Sequence, residues 1–178
     1  MRLRDTGYLV FSLISCPLAG CNESMDFIST RSLNAVSIEE ALLSGTAKDG
    51  GLYLPTEIPK IDLNDFLESD DYVSFSNAML SPYFSDSSLE ECLQDIVTKS
   101  FNFPIQMTAL DNHSGNVSML ELYHGPTAAF KDFGARFLAA CSAEIHATEP
   151  DQEKTILVAT SGDTGGAVAS AFYKLEGF

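Results

Sequence analysis

Apolar residues recur at helical spacing in several stretches of this chain and in short extended runs between them. Phe133, Phe137, Cys141 and Ile145 fall every four residues with Leu138 beside them. A helix starting near Asp132 therefore turns one apolar stripe to a core. Ser88 and Glu91 read as a capping box ahead of Leu89, Cys92, Leu93, Ile96 and Val97, which predicts another helix with a core face. Just before it, Phe75, Ala78 and Met79 share a face of a helical stretch. Nearer the start, Ser37 and Glu40 form a capping box that opens a brief helix through Leu43, stopped near Gly45. Residues 27–30 are a strand candidate, and Asp49-Gly50-Gly51 is a turn before an extended Leu52-Tyr53-Leu54. Phe101-Asn102-Phe103-Pro104 closes this half, because a residue before proline avoids the helical region.

The second half alternates. Residues 111–116 are a strong turn signal ahead of a strand candidate at 117–122, which delivers His124-Gly125-Pro126-Thr127 and then Lys131 at the entrance of the predicted helix. A polar loop at 148–154 leads to an apolar strand at 155–159, a glycine-rich loop at 161–166 and a helix from Ala167 to Phe172. Strand, helix, strand and helix in this order argue for a parallel sheet covered by helices. The fold class is α/β, with a small N-terminal unit at 25–103 and the start of a parallel-sheet domain at 104–178.

Composition narrows the function classes. A formal net charge of −15 argues against a phosphate-seeking nucleic-acid surface. Cys16, Cys21, Cys92 and Cys141 make no C-x-x-C pair, and His113, His124 and His146 are dispersed, so neither a disulfide framework nor a metal site is expected. Cys92 and Cys141 fall on apolar stripes and read as buried, reduced thiols of a cytoplasmic protein. Residues 1–24 differ from the rest: Arg2 and Arg4 precede an apolar run at 8–20, too short to span a bilayer and of signal-peptide length. Leu18-Ala19-Gly20-Cys21 resembles a bacterial lipobox, which leaves an exported lipoprotein, membrane-bound through a lipidated Cys21, as the alternative. Met25 opens a segment that reads as the start of a cytosolic enzyme, so an over-extended start accounts for the leader, and this is the favoured reading.

Two segments carry candidate chemistry. Lys131 stands where a helix N-terminus disfavours an ammonium, whereas its neighbour Asp132 suits that position. Taken alone, a Lys-Asp pair here reads as a solvated loop lysine; a lysine so placed is also suited to act as a neutral amine nucleophile. At Ser161-Gly162-Asp163-Thr164-Gly165-Gly166, glycines permit close backbone approach, and free amides at a helix start can hold a carboxylate or phosphate. The loop is neither a Walker A motif nor a dinucleotide fingerprint, and an ordinary tight strand-to-helix turn is its other reading.

HGPTAAFKDFG, at residues 124–134, resembles the segment of threonine synthases that carries the lysine binding pyridoxal 5'-phosphate. TSGDTGGAVASAFY, at 160–173, resembles the glycine loop and helix that follow it there, and residues 27–59 resemble the family's opening. The three matches stand in the family's order. The resemblance implies a fold-type II pyridoxal-phosphate enzyme that converts O-phospho-L-homoserine and water to L-threonine and phosphate. It makes Lys131 the catalytic and cofactor-binding lysine, places Gly162, Asp163 and Thr164 against the cofactor, and assigns Ser161, Gly162, Thr164 and Gly165 to the substrate carboxylate. Asp163 matches a position where many relatives have asparagine facing the cofactor's phenolic oxygen; a helix N-cap is its other reading. His124 and Thr127 are candidates for lining the site.

The family's cofactor-phosphate loop and the residue facing the pyridine nitrogen have no match in these 178 residues. The chain is therefore expected to be the front part of such an enzyme and inactive by itself. Serine or threonine dehydratases and cysteine synthase share the lysine and glycine-loop plan and remain as alternatives, as does a non-catalytic threonine-synthase-like binding protein.

Overall fold

The computed structural model describes residues 25–62, 71–110, 117–148, 150, 153–160 and 162–178. The leader with Cys16 and Cys21, the turn at 111–116 and Ser161 lie outside the described residues.

Short strands β1 (Phe27–Ser29), β2 (Ala35–Val36) and β3 (Tyr53–Pro55) form an antiparallel sheet of order β2-β1-β3, with Ile28 opposite both Ala35 and Leu54. The turn before β3 is tied back to β1, since Asp49 Oδ1 accepts from Ser29 Oγ at 2.7 Å and from Gly51 N at 2.9 Å. Helix α1 (Ile38–Ser44) starts as its pattern predicts, with Ser37 Oγ accepting from Glu40 N at 3.3 Å, and ends at Gly45.

Helices α2 (Tyr72–Phe84) and α3 (Leu93–Ser100) depart from the sequence reading in two ways. The face shared by Phe75 and Ala78 in α2 is largely outward: both are exposed, while Ser76 and Phe84 are buried and Val73, Leu80 and Tyr83 pack on the core. Apolar residues surround this helix, so the local pattern selects no face and packing against α3 decides. The capping box at Ser88 does not form. Ser88 instead donates through its backbone N and its Oγ to Glu39 Oε1, at 2.8 and 2.7 Å, and α3 begins at Leu93 after a turn. A distant carboxylate competes successfully for the donors the local motif would have used. The core assignment survives this shift, since Leu89, Leu93, Ile96 and Val97 are all buried; Cys92 is only half-buried.

Strands β4 (Gln106–Ala109) and β5 (Ser118–Glu121) pair antiparallel, with Met107 opposite Leu120. Helix α4 (Lys131–Thr148) follows, and α5 (Asp163–Phe172) packs on it. The fold is thus mixed α/β, as expected. Both sheets are antiparallel, however, and residues 155–159 form no ladder among the described residues. An apolar run supplies strand propensity, but a parallel ladder needs a neighbouring strand in the same direction. Helix α5 also starts earlier than predicted, at Asp163 rather than near Ala167.

One core joins these elements. Ile38, Phe84, Leu89, Leu93, Ile96 and Val97 cluster with Cys141 and Ile145 of α4. Aromatic rings continue the junction: Phe101 stacks on Phe137 with centroids 5.9 Å apart, and Phe84 meets the same ring edge-on. Hydrophobic packing therefore runs across residue 103 and fixes α4 against α1 and α3. Arg136 reinforces this from the rim, where its guanidinium donates to the carbonyls of Lys99 and Ser100 at the end of α3. No helix among the described residues is long and apolar enough to cross a membrane.

Candidate functional site

The segment between β5 and α4 is held by side chains on both sides of its turn. At the β5 end, Glu121 Oε1 accepts from Thr108 Oγ1 at 2.6 Å, and Glu121 Oε2 lies 2.6 Å from His124 Nε2. The Thr108 hydroxyl foremost, then His124 and Tyr123, hold the Glu121 carboxyl below the usual carboxylate range. His124 is further covered by the Tyr123 ring at 4.7 Å.

The turn itself is closed by Ala128 N donating to Gly125 O at 3.0 Å, with Ala128 in the left-handed region at φ 55°. That conformation is costly for a residue with a Cβ and persists only where its surroundings impose it. Asp132 supplies the constraint. It is wholly buried; its Oδ2 accepts from Thr127 N at 2.8 Å and its Oδ1 from Thr127 Oγ1 at 2.7 Å. Gly125 passes so close that a Cβ there would lie 2.5 Å from Asp132 Oδ2, which excludes any larger residue without displacing the carboxylate.

Lys131 emerges from this turn as the first residue of α4, half-buried, with Nζ 4.1 Å from the centroid of the Phe130 ring. It faces the start of α5. Lys131, Thr160, Gly162, Asp163 and Thr164 line one cleft of about 200 Å³. The N-cap of α5 is Gly162, and no side chain caps this terminus, so Asp163 occupies the first helical position and is not the capping residue. The first amides of a helix have no partner within it, and here they stand beside the cleft with the positive end of the helix dipole. Gly165 lies against the Thr160 side chain so closely that an added Cβ would collide with it.

The lysine and the glycine loop, distant in sequence, thus line one cleft. His124 and Thr127 are not among the residues lining the cleft. Both donors of Thr127 are given to Asp132, and His124 is held by Glu121. Ser161 lies outside the described residues. Thr160 is a lining residue that the sequence reading did not single out, although it opens the quoted TSGDTGG motif. Asp132 was read as a helix-start carboxylate, and no local signal foretold its complete burial.

Known proteins resemble this chain in sequence and in backbone. The family model described as threonine synthase N terminus matches residues 26–101. Threonine synthase of Serratia marcescens is 43% identical over 143 residues, covering 79% of this chain and 32% of the relative. The crystal structure of threonine synthase from Escherichia coli superposes with a TM-score of 0.73 at 39% identity, over 86% of this chain and 35% of that one. The structure of PLP-bound threonine synthase from Brucella melitensis gives a TM-score of 0.75 at 34% identity, over 86% and 34% of the two chains. The chain spans about a third of the length of these relatives. In family model, in sequence and in backbone alike, the chain is similar to the N-terminal part of threonine synthases.

Proposed function

We propose that this chain carries the lysine and the anion-holding loop of a threonine synthase, the whole of which uses pyridoxal 5'-phosphate to convert O-phospho-L-homoserine and water into L-threonine and phosphate. The observation that carries the reading is the shared cleft of Lys131 with Gly162, Asp163 and Thr164. Its donor set fits the aldehyde end of the cofactor: a primary amine, an acid, a hydroxyl and helix-start amides without a side-chain cap. Residues 25–103 serve as the N-terminal domain and 104–178 as the first part of the cofactor domain, a division supported by the end of the family match at residue 101.

Each residue then has a distinct task. Lys131 Nζ is the nucleophile that holds the cofactor and, once released by substrate, the base that moves protons at the substrate's α and β carbons. Asp163 stands against the phenolic oxygen. The amides of the α5 start, with Ser161 and Thr164, receive the substrate carboxylate, where the helix dipole favours negative charge. His124 and Thr127 are left out of the ligand set because their polar atoms are engaged by Glu121 and Asp132. When bound, pyridoxal phosphate supplies the electron sink that makes proton removal beside the amine feasible. Phosphate departs from the γ carbon and water adds at the β carbon, so atoms balance without an oxidant. The cofactor-phosphate loop and the pyridine-nitrogen partner are unmatched in these 178 residues, and the chain by itself should not turn over. Its place is the cytoplasm, with a small-molecule substrate as partner.

The test is borohydride reduction of the protein purified from its native source, followed by intact mass, peptide mapping and an assay of threonine and phosphate release from O-phospho-L-homoserine. The expected result is a reduced pyridoxyl group on Lys131 of a protein that forms threonine, and loss of both in Lys131→Ala. Threonine formation that survives Lys131→Ala, or an adduct confined to another lysine, would refute the assignment. Measurable turnover by the isolated 178-residue chain would refute its proposed inactivity.

A further inference from the structure

We infer that Asp132 is the positioning residue for Lys131, acting through Thr127, an inference that rests on reading Lys131 as the cofactor-binding amine. A carboxylate that only complements a helix dipole gains nothing from burial and loses its hydration. Asp132 is nonetheless 0% exposed. What replaces water is Thr127, whose backbone N and Oγ1 donate to the two carboxylate oxygens at 2.8 and 2.7 Å. Each oxygen is thus used once, by the same residue, across the turn that delivers the lysine.

The consequence is a closed loop of constraints. Thr127 is bound to Asp132, Ala128 N donates to Gly125 O at 3.0 Å, and Asp132 N donates to Ala129 O at 3.0 Å. Gly125 packs directly on the Asp132 side chain. Lys131 is the residue just before Asp132, so its Cα is set wherever the clamp sets Asp132. The clamp also maintains the left-handed Ala128, a conformation the turn would otherwise tend to leave. Release of Asp132 therefore lets residues 125–131 relax and withdraws Nζ from the cleft at the start of α5. Asp132 is not among the residues that line that cleft and acts only through the turn.

The experiment is competitive acetylation of the full chain with trace acetic anhydride, comparing Lys131 with Lys48, whose side chain is 93% exposed. Unsubstituted protein, Asp132→Asn, Thr127→Val and Thr127→Ser are each labelled over a range of pH, with circular dichroism to verify the fold. Asp132→Asn and Thr127→Val should raise the Lys131-to-Lys48 ratio about three- to tenfold, the population change carried by one lost hydrogen bond. Thr127→Ser retains the hydroxyl and should keep the original ratio. If Asp132→Asn fails to fold, the Thr127 pair decides the matter, because it leaves the carboxylate in place. An unchanged ratio in folded Thr127→Val, or equal behaviour of the Ser and Val variants, would overturn the inference. A second arm treats the same proteins with pyridoxal phosphate and borohydride. A Lys131 adduct that falls in the variants supports both readings. If unsubstituted protein shows no preference for Lys131 while its acetylation still responds to Thr127→Val, positioning stands and the cofactor reading fails.

Discussion

Helix α3 ends against a single side chain, and removing it should measurably loosen the junction between the two halves of the chain. Arg136 Nε donates to Ser100 O at 2.9 Å, and Nη2 donates to Lys99 O and to Asn102 Oδ1, both at 2.8 Å. The last carbonyls of a helix lack partners within it, and a cation beside them also meets the negative end of the dipole. A hydrogen bond from a charged donor contributes about 1.5–3 kcal/mol. The bonds to Lys99 and Asn102 are exposed, and water takes them over; the bond to Ser100 is part-buried, so the loss there persists. Arg136→Ala should therefore cost about 2 kcal/mol, chiefly from that one carbonyl and from lost packing on the Phe103 ring. At about 2–4 °C per kcal/mol for a chain of this size, Tm should fall by about 4–8 °C. Urea and thermal unfolding measure it directly. Arg136→Lys should recover less than half of the loss, because an ammonium cannot direct a planar fork at two carbonyls at once. A cost for Arg136→Ala within about 0.5 kcal/mol, the range of ordinary surface changes, would refute the capping role.

Two further predictions concern titratable groups. Burial foremost pushes the Cys141 thiol up to about 12, and its side chain is fully covered, so iodoacetamide at pH 8 should leave it unmodified until urea unfolds the protein. Native-state alkylation at the unfolded rate would contradict the core placement. Asp49 and Asp71 are held below the usual carboxylate range, chiefly by the hydroxyls of Ser29 and Ser74. A folded value below the unfolded one means stability that is present above the ordinary carboxylate value and lost as pH falls through the folded value. Stability should therefore decline below about pH 4. Asp71→Asn keeps a capping residue at the start of α2 but removes the titration, and it should flatten that decline; an unchanged acid limb would count against the assignment.

Much of the fold was legible because its causes are local. The Ser37 cap and α1, the strand within 117–122, and the four-residue stripe of α4 all follow from short-range patterns, and all are present. The outward Phe75 and the unused Ser88 cap were misread for one reason. Where a helix is apolar on several sides, or a cap has a competitor such as Glu39, remote contacts decide between local options of similar free energy.

The order of segments along the chain separated the lysine turn from the glycine loop, and the resemblance of each to a family motif paired it with a chemistry. Which residues share the cleft was decided only in three dimensions. Packing of α4 on α1 and α3 and of α5 on α4 sets Lys131 opposite Gly162, Asp163 and Thr164, while it leaves His124 and Thr127 to hold the turn. Periodicity and propensity report what a residue prefers over one or two turns of chain. The burial of Asp132 between Gly125 and Thr127, and with it the direction of Lys131, depends on contacts whose geometry is specified only when the whole turn closes.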